Sequence, residues 1–114
     1  MSIKEIIETY LRGLEEFDVS AISTLFSKSA VVHSPWYGKM AARVILQETF
    51  FRYQKSVITL LHIFQEVDKR HMAAAHFRYD WRVRDSSMQS FECVDVFYFD
   101  AHYNIREMHI SYNT

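Results

Sequence analysis

Residues 91–100 run FECVDVFYFD, a stretch rich enough in aromatic and β-branched residues to predict a β-strand. Successive strand side chains point to opposite faces. Phe91, Cys93, Asp95, Phe97 and Phe99 therefore share one side, and Glu92, Val94, Val96 and Tyr98 the other. Asp95 is the anomaly, an acid in an otherwise apolar row. An ionised carboxylate there would lose its hydration with nothing in the row to offset the loss. The group is expected to be protonated, paired, or both. Two readings stay open: Asp95 caps a loop or meets an arginine across the sheet, or it is the acid of an apolar pocket.

Working outward, the same period of two runs through 57–67, 72–83 and 105–112, giving four long strands in all, with the central one at 88–99. Their connections (Asp68-Lys69-Arg70, Arg84-Asp85-Ser86-Ser87 and Asp100-Ala101-His102-Tyr103-Asn104) are polar turn material. In 72–83, Ala73, Ala75, Phe77, Tyr79, Trp81 and Val83 form one face, while Ala74, His76, Arg78, Asp80 and Arg82 form the other. In the last strand Met108, Ile110 and Tyr112 oppose Glu107, His109 and Ser111.

The first half of the chain reads as helical. Ser2 with Glu5 three residues on makes a capping box. Ile3, Ile6, Ile7, Tyr10, Leu11 and Leu14 then recur at helical spacing to about Phe17. Asp18 is placed to cap a second, short helix, VSAISTLFS, with Val19, Ile22, Leu25 and Phe26 inward. Ala30–His33 predicts a short strand ending at Ser34-Pro35, because the residue before proline is kept extended. Trp36-Tyr37-Gly38 is a turn, with Gly38 free to take a positive φ, and Met40–Tyr53 a third helix.

Helices first and antiparallel strands after is the α+β pattern. Strands this long must twist and curl. Three N-terminal helices packed into the concavity of a curved, mostly antiparallel sheet would make a cystatin-like cone with an apolar interior. Its expected lining is Phe77, Tyr79, Trp81, Phe91, Cys93, Asp95, Phe97, Met108, Ile110 and part of the first helix, with Trp36 and Tyr112 as further ligand contacts.

Composition narrows the function classes. At 114 residues the chain is a single domain, and 16% aromatic residues suit a thick core or an apolar pocket. A formal charge of −1 supplies no net attraction to nucleic acid or anionic membrane, so neither is an expected partner. The lone Cys93 cannot form an internal disulfide and fits a reducing compartment. Acids from Glu5 onward argue against a signal peptide, so a cytoplasmic location is expected. No HxH, CxxC or HExxH pattern is present, and neither a metal nor an organic cofactor is expected.

On these residues the chain resembles a known family. The segments 7–39, IETYLRGLEEFDVSAISTLFSKSAVVHSPWYGK, and 91–112, FECVDVFYFDAHYNIREMHISY, resemble the nuclear transport factor 2-like superfamily in its SnoaL-like and ketosteroid isomerase-like branch. The resemblance implies that Tyr10 donates a hydrogen bond to a developing oxyanion and that Asp95 is the acid kept neutral beside it. It also marks a departure. Ser34 stands where the family places a general-base aspartate before proline, and a serine hydroxyl is far too weakly basic for that role. His33, next door, has a suitable pKa range, yet strand alternation aims it away from whatever Ser34 faces. Cys93 stands where the epoxide-hydrolase branch carries an arginine. Dehydratase-like members use a pair of cavity histidines, for which His33 and His62 are the candidates here.

The implied function is isomerase, cyclase or dehydratase-type proton transfer on a small apolar carbonyl or hydroxyl compound. The alternative is a ligand-binding or dimerisation module that lacks the base. Val94, Val96 and Tyr98, with Ala74, would leave the outer sheet face uncovered within one chain, so a homodimer is expected.

Overall fold

Ser2 and Glu5 do close a reciprocal cap at the start of α1 (Ile3–Glu16): the Glu5 backbone N–H donates to Ser2 Oγ at 3.1 Å and the Ser2 N–H to Glu5 Oε1 at 3.0 Å. The structure, a computed structural model, describes residues 1–35, 37–46, 53–69, 71–83 and 88–113. The side chains of 53–55, 81–83, 88–89 and 113 are outside that description. The apolar stripe of α1 is buried as its spacing requires, with Ile3, Ile6, Ile7, Tyr10, Leu11 and Leu14 all facing the sheet side. Gly13 sits on the same stripe. A Cβ there would lie 2.5 Å from Ile22 Cγ1, so only glycine lets the next helix pack this closely.

That next helix, α2 (Val19–Ser23), is capped by the Asp18 side chain accepting from the Ala21 N–H at 3.0 Å. It is shorter than the sequence reading, and Phe26 already belongs to a strand. The cause is tertiary. The carbonyl of Leu25 accepts the Ile105 N–H at 2.8 Å, which draws residue 26 onto the sheet beside Ile105.

Among the described residues six strands form one mixed sheet in the order β2-β1-β6-β5-β4-β3. They are β1 (Phe26–Ser34), β2 (Gly38–Ala41), β3 (Tyr53–Gln65), β4 (Met72–Val83), β5 (Met88–Phe99) and β6 (Ile105–Asn113). Among the described residues β1 and β6 run parallel, and the other neighbouring pairs are antiparallel. β2 was not anticipated: Met40 pairs with Val32 in a hairpin, and helix begins only at residue 42. Gly38, with φ of 71°, allows the tight return that puts β2 against β1. Residues 42–46 are helical, and the continuation expected through 47–52 lies outside the described residues. β3 starts four residues earlier and ends two earlier than the period of two implied.

The α+β cone follows from these pieces. α1 lies in the concavity, its Tyr10 ring edge-on to Phe97 at 5.4 Å and to Phe26 at 6.2 Å. At the edge strand β3, buried Ser56 donates from Oγ to the Leu14 carbonyl, and the Ile58 N–H donates to Glu15 Oε2 at 2.7 Å. Helix end and sheet edge are thereby tied together. The backbone donor of an edge strand that would otherwise face solvent is also satisfied.

Candidate functional site

The alternation predicted for 91–99 is observed residue by residue, and Asp95 faces the interior at 2% exposure. Its cross-strand neighbours are Ala75 on β4 and Ile110 on β6, and its neighbours along the strand face are Cys93 and Phe97. Among the described residues no arginine reaches it, and Oδ1 is buried with no hydrogen-bond partner. Burial therefore holds the Asp95 carboxyl well above the usual carboxylate range. The sequence left Asp95 open as a loop cap, an arginine partner or a pocket acid, and the structure places it in the apolar interior row.

Around Asp95 is a cavity lined by Tyr10, Leu14, Val32, Ser34, Tyr37, Ile45, Leu46, Phe77, Tyr79, Cys93, Met108 and Ile110. Room for the centre of a water-sized sphere amounts to about 50 Å³. That is enough for a few waters, and well below the roughly 300–1,000 Å³ of typical small-molecule sites. Tyr10, 3% exposed, comes from the middle of α1. Burial raises its phenol well above the ordinary tyrosine value, with the nearby Asp95, Tyr79 and Cys93 adding to the shift. The same burial, with Asp95 again contributing, pushes the Cys93 thiol up and leaves it an inert apolar side chain. No hydrogen bond joins Tyr10 to Asp95 among the described residues, although both line the one cavity.

Ser34, 6% exposed, lines the same space at the end of β1, where its Oγ accepts the Tyr37 N–H at 3.3 Å. Of the expected lining, Phe77, Tyr79, Cys93, Met108 and Ile110 are in place. Phe91, Phe97 and Tyr112 need correcting as ligand contacts. Phe97 is fully buried with the Tyr10 ring edge-on to it at 5.4 Å, Phe91 packs on Tyr112 at 5.4 Å, and none of the three lines the cavity. Trp36 and the side chain of Trp81 lie outside the described residues.

His33 needs the clearest correction. As alternation along β1 requires, it leaves the opposite face of the sheet, with Nε2 2.7 Å from Glu107 Oε2. His62 is likewise on the outer face, its Nδ1 3.3 Å from Nδ1 of His76. Neither histidine enters the cavity. Leu14, Val32, Tyr37, Ile45 and Leu46 were not singled out as lining. Val32 was the one within reach of pattern reading, being two residues before Ser34 on the same strand face.

No protein-family profile matches the chain, and no curated protein matches it. Solved structures do. A putative polyketide cyclase from Pseudomonas putida KT2440 superposes with a TM-score of 0.85 at 15% identity, covering 99% of this chain and 92% of that one. The epoxide hydrolase/cyclase-like enzyme SalBIII, of pyran ring formation in the polyether salinomycin, matches with a TM-score of 0.82 at 18% identity over 97% and 90% of the two chains. A hypothetical protein from Catenulispora acidiphila DSM 44928 with a ketosteroid isomerase-like fold gives a TM-score of 0.82 at 12% identity over 99% and 88%. The chain has the fold that these SnoaL-like and ketosteroid isomerase-like proteins share.

Proposed function

We propose that the cavity binds the oxygen of a small, mostly apolar carbonyl or hydroxyl compound and acts on it as an acid, in cyclase or dehydratase-type chemistry. One observation carries this reading: a buried carboxyl, with an unpartnered oxygen, facing a cavity that is otherwise largely apolar. A carboxyl whose burial favours its protonated form donates its proton, in a dry site, to an oxygen that is gaining negative charge or leaving. The Tyr10 hydroxyl, kept protonated by the same burial, is the second donor from across the cavity.

Chemistry that begins by removing a proton from carbon fits less well. Among the described residues, the lining holds tyrosines, a cysteine, Ser34 and Asp95, whose burial favours the protonated form, and none is a ready base near neutral pH. Two of the similar structures, a putative polyketide cyclase and an epoxide hydrolase/cyclase-like enzyme, are in keeping with acid-assisted ring formation. The small volume supports a second reading, a non-catalytic module whose interior is mostly filled.

The test uses 4-nitrophenol, whose ionised form is coloured. It is expected to bind as the phenolate, and Tyr10→Phe to weaken it about tenfold, the worth of one charge-assisted hydrogen bond. Binding of the neutral phenol alone, indifferent to Tyr10→Phe, would leave no oxyanion site.

We further propose that the chain pairs through its outer sheet face with a second copy of itself. Val57, Leu61, Phe64 and Val94 are exposed there. Arg78 and Asp80 put both charge signs on one stripe, 3.4 Å apart, which a two-fold axis can match to itself. Sedimentation is expected to show a dimer at micromolar concentration that Val94→Lys dissociates. A monomer in the wild type refutes it.

A further inference from the structure

The outer face also carries a cluster that the cavity does not use. The parallel pairing of β1 with β6 sets His33 beside His109, and Glu107, two residues before His109, points to the same side. Glu107 Oε2 lies 2.7 Å from His33 Nε2 and 3.1 Å from His109 Nε2. The two imidazoles are stacked at 4.0 Å with 7° between their planes. Arg106 Nη1, 3.5 Å from Oε1, holds the other carboxylate oxygen and leaves Oε2 to the histidines. All three residues are partly open to solvent, with side chains between 30% and 41% exposed.

We propose that His33, Glu107 and His109 form a binding site for a zinc-class divalent cation. One ligand atom from each residue lies within 4.8 Å of the other two. Around a tetrahedral zinc ion with bonds of about 2.0–2.1 Å, neighbouring ligand atoms stand roughly 3.3 Å apart. The observed separations of 2.7 and 3.1 Å to Oε2 are therefore a few tenths of an ångström short of that spacing. Small rotations about the imidazole χ2 angles open the set and turn both Nε2 lone pairs toward one point. The ion would take the place of the two N–H protons now directed at Oε2. Two imidazoles and a carboxylate are the donor set of borderline divalent ions, and solvent would complete the coordination.

The second histidine cluster on this face shows what a set that cannot converge looks like. His76 turns Nδ1 to His62 at 3.3 Å and Nε2 to Glu92 Oε1 at 2.6 Å. These nitrogens lie on opposite sides of one ring, so His62 and Glu92 cannot share an ion with it. In the first cluster each residue contributes one atom and all three atoms meet. Because the ligands span the parallel pairing of β1 with β6, a bound ion would also fasten these two strands together.

The experiment is calorimetric titration of the tag-free chain with ZnCl2 at neutral pH, beside His33→Gln, His109→Gln, Glu107→Gln and, as a control, His76→Gln. One ion per chain is expected. Each of the first three substitutions should weaken binding at least about tenfold and the control should leave it unchanged. Saturating Zn²⁺ should raise Tm by about 4 °C or more in the wild type and in His76→Gln only. The substituted residues are at the surface, and circular dichroism of the ion-free variants checks that they fold. Absence of binding at millimolar Zn²⁺, or binding that survives both His33→Gln and His109→Gln, overturns the proposal.

Discussion

Asp95→Asn is expected to make the chain more stable than the wild type at pH 8, by a margin that grows as the pH rises, and to change little at pH 4. The sign follows from where the proton sits. In the unfolded chain Asp95 ionises near the ordinary carboxylate value, whereas burial keeps it protonated in the fold to a much higher pH. Between those two values the native state binds the extra proton, so raising the pH favours unfolding. The loss approaches about 1.4 kcal/mol per pH unit and stops once the folded carboxyl itself ionises. Asparagine has nearly the same shape, carries no titrating group and stays neutral throughout. The difference between the two proteins therefore opens as pH climbs above the free-acid value and vanishes below it. Urea unfolding of both at pH 4, 6 and 8 isolates this, since every other titrating group cancels in the comparison. A stability difference that is flat with pH would mean that Asp95 is ionised and hydrated in the folded chain, and the acid-type chemistry would go with it.

The same residue shows why much of the site could be read before any coordinates. Asp95 is conspicuous because a period of two surrounds it, and a strand with alternating burial on one face has a single register. The long strands β4 and β5 coincide with their expected limits for the same reason, and α1 with its capping box. Residues 24–29 and 39–41 resisted, because short runs such as STLFSKSA carry no decisive period. Their strand state comes from partners far along the chain, Ile105 for Phe26 and the hairpin return for Met40. The His33, Glu107 and His109 cluster was illegible for a related reason. A search for ligand spacing within one segment finds only Glu107-Met108-His109, and the third ligand arrives from 74 residues away through a parallel pairing.

What remains is whether the interior is a binding site or a core with a small flaw, and Phe77 is the place to ask. It is 1% exposed, lines the cavity and pairs with Cys93 across the β4–β5 ladder, two positions from Asp95. Phe77→Ala is expected to cost about 3–5 kcal/mol, the transfer and cavity terms of a buried aromatic ring, and to lower Tm by more than about 10 °C. It also opens a hole the size of a phenyl group beside Tyr10 and Asp95. An apolar hole in a protein takes up benzene, so benzene should restore part of the lost Tm whichever reading is right. Phenol separates them. If Asp95 and Tyr10 present donors to the cavity, the hydroxyl of phenol meets them and phenol should bind about tenfold more tightly than benzene, one hydrogen bond's worth. That preference should disappear in Phe77→Ala combined with Tyr10→Phe and Asp95→Ala. Should Phe77→Ala prove too unstable to assay, Phe77→Leu, costing closer to 1 kcal/mol, keeps the comparison available. Equal rescue by the two ligands would mean that the buried carboxyl addresses no ligand oxygen, and the filled-core reading would stand.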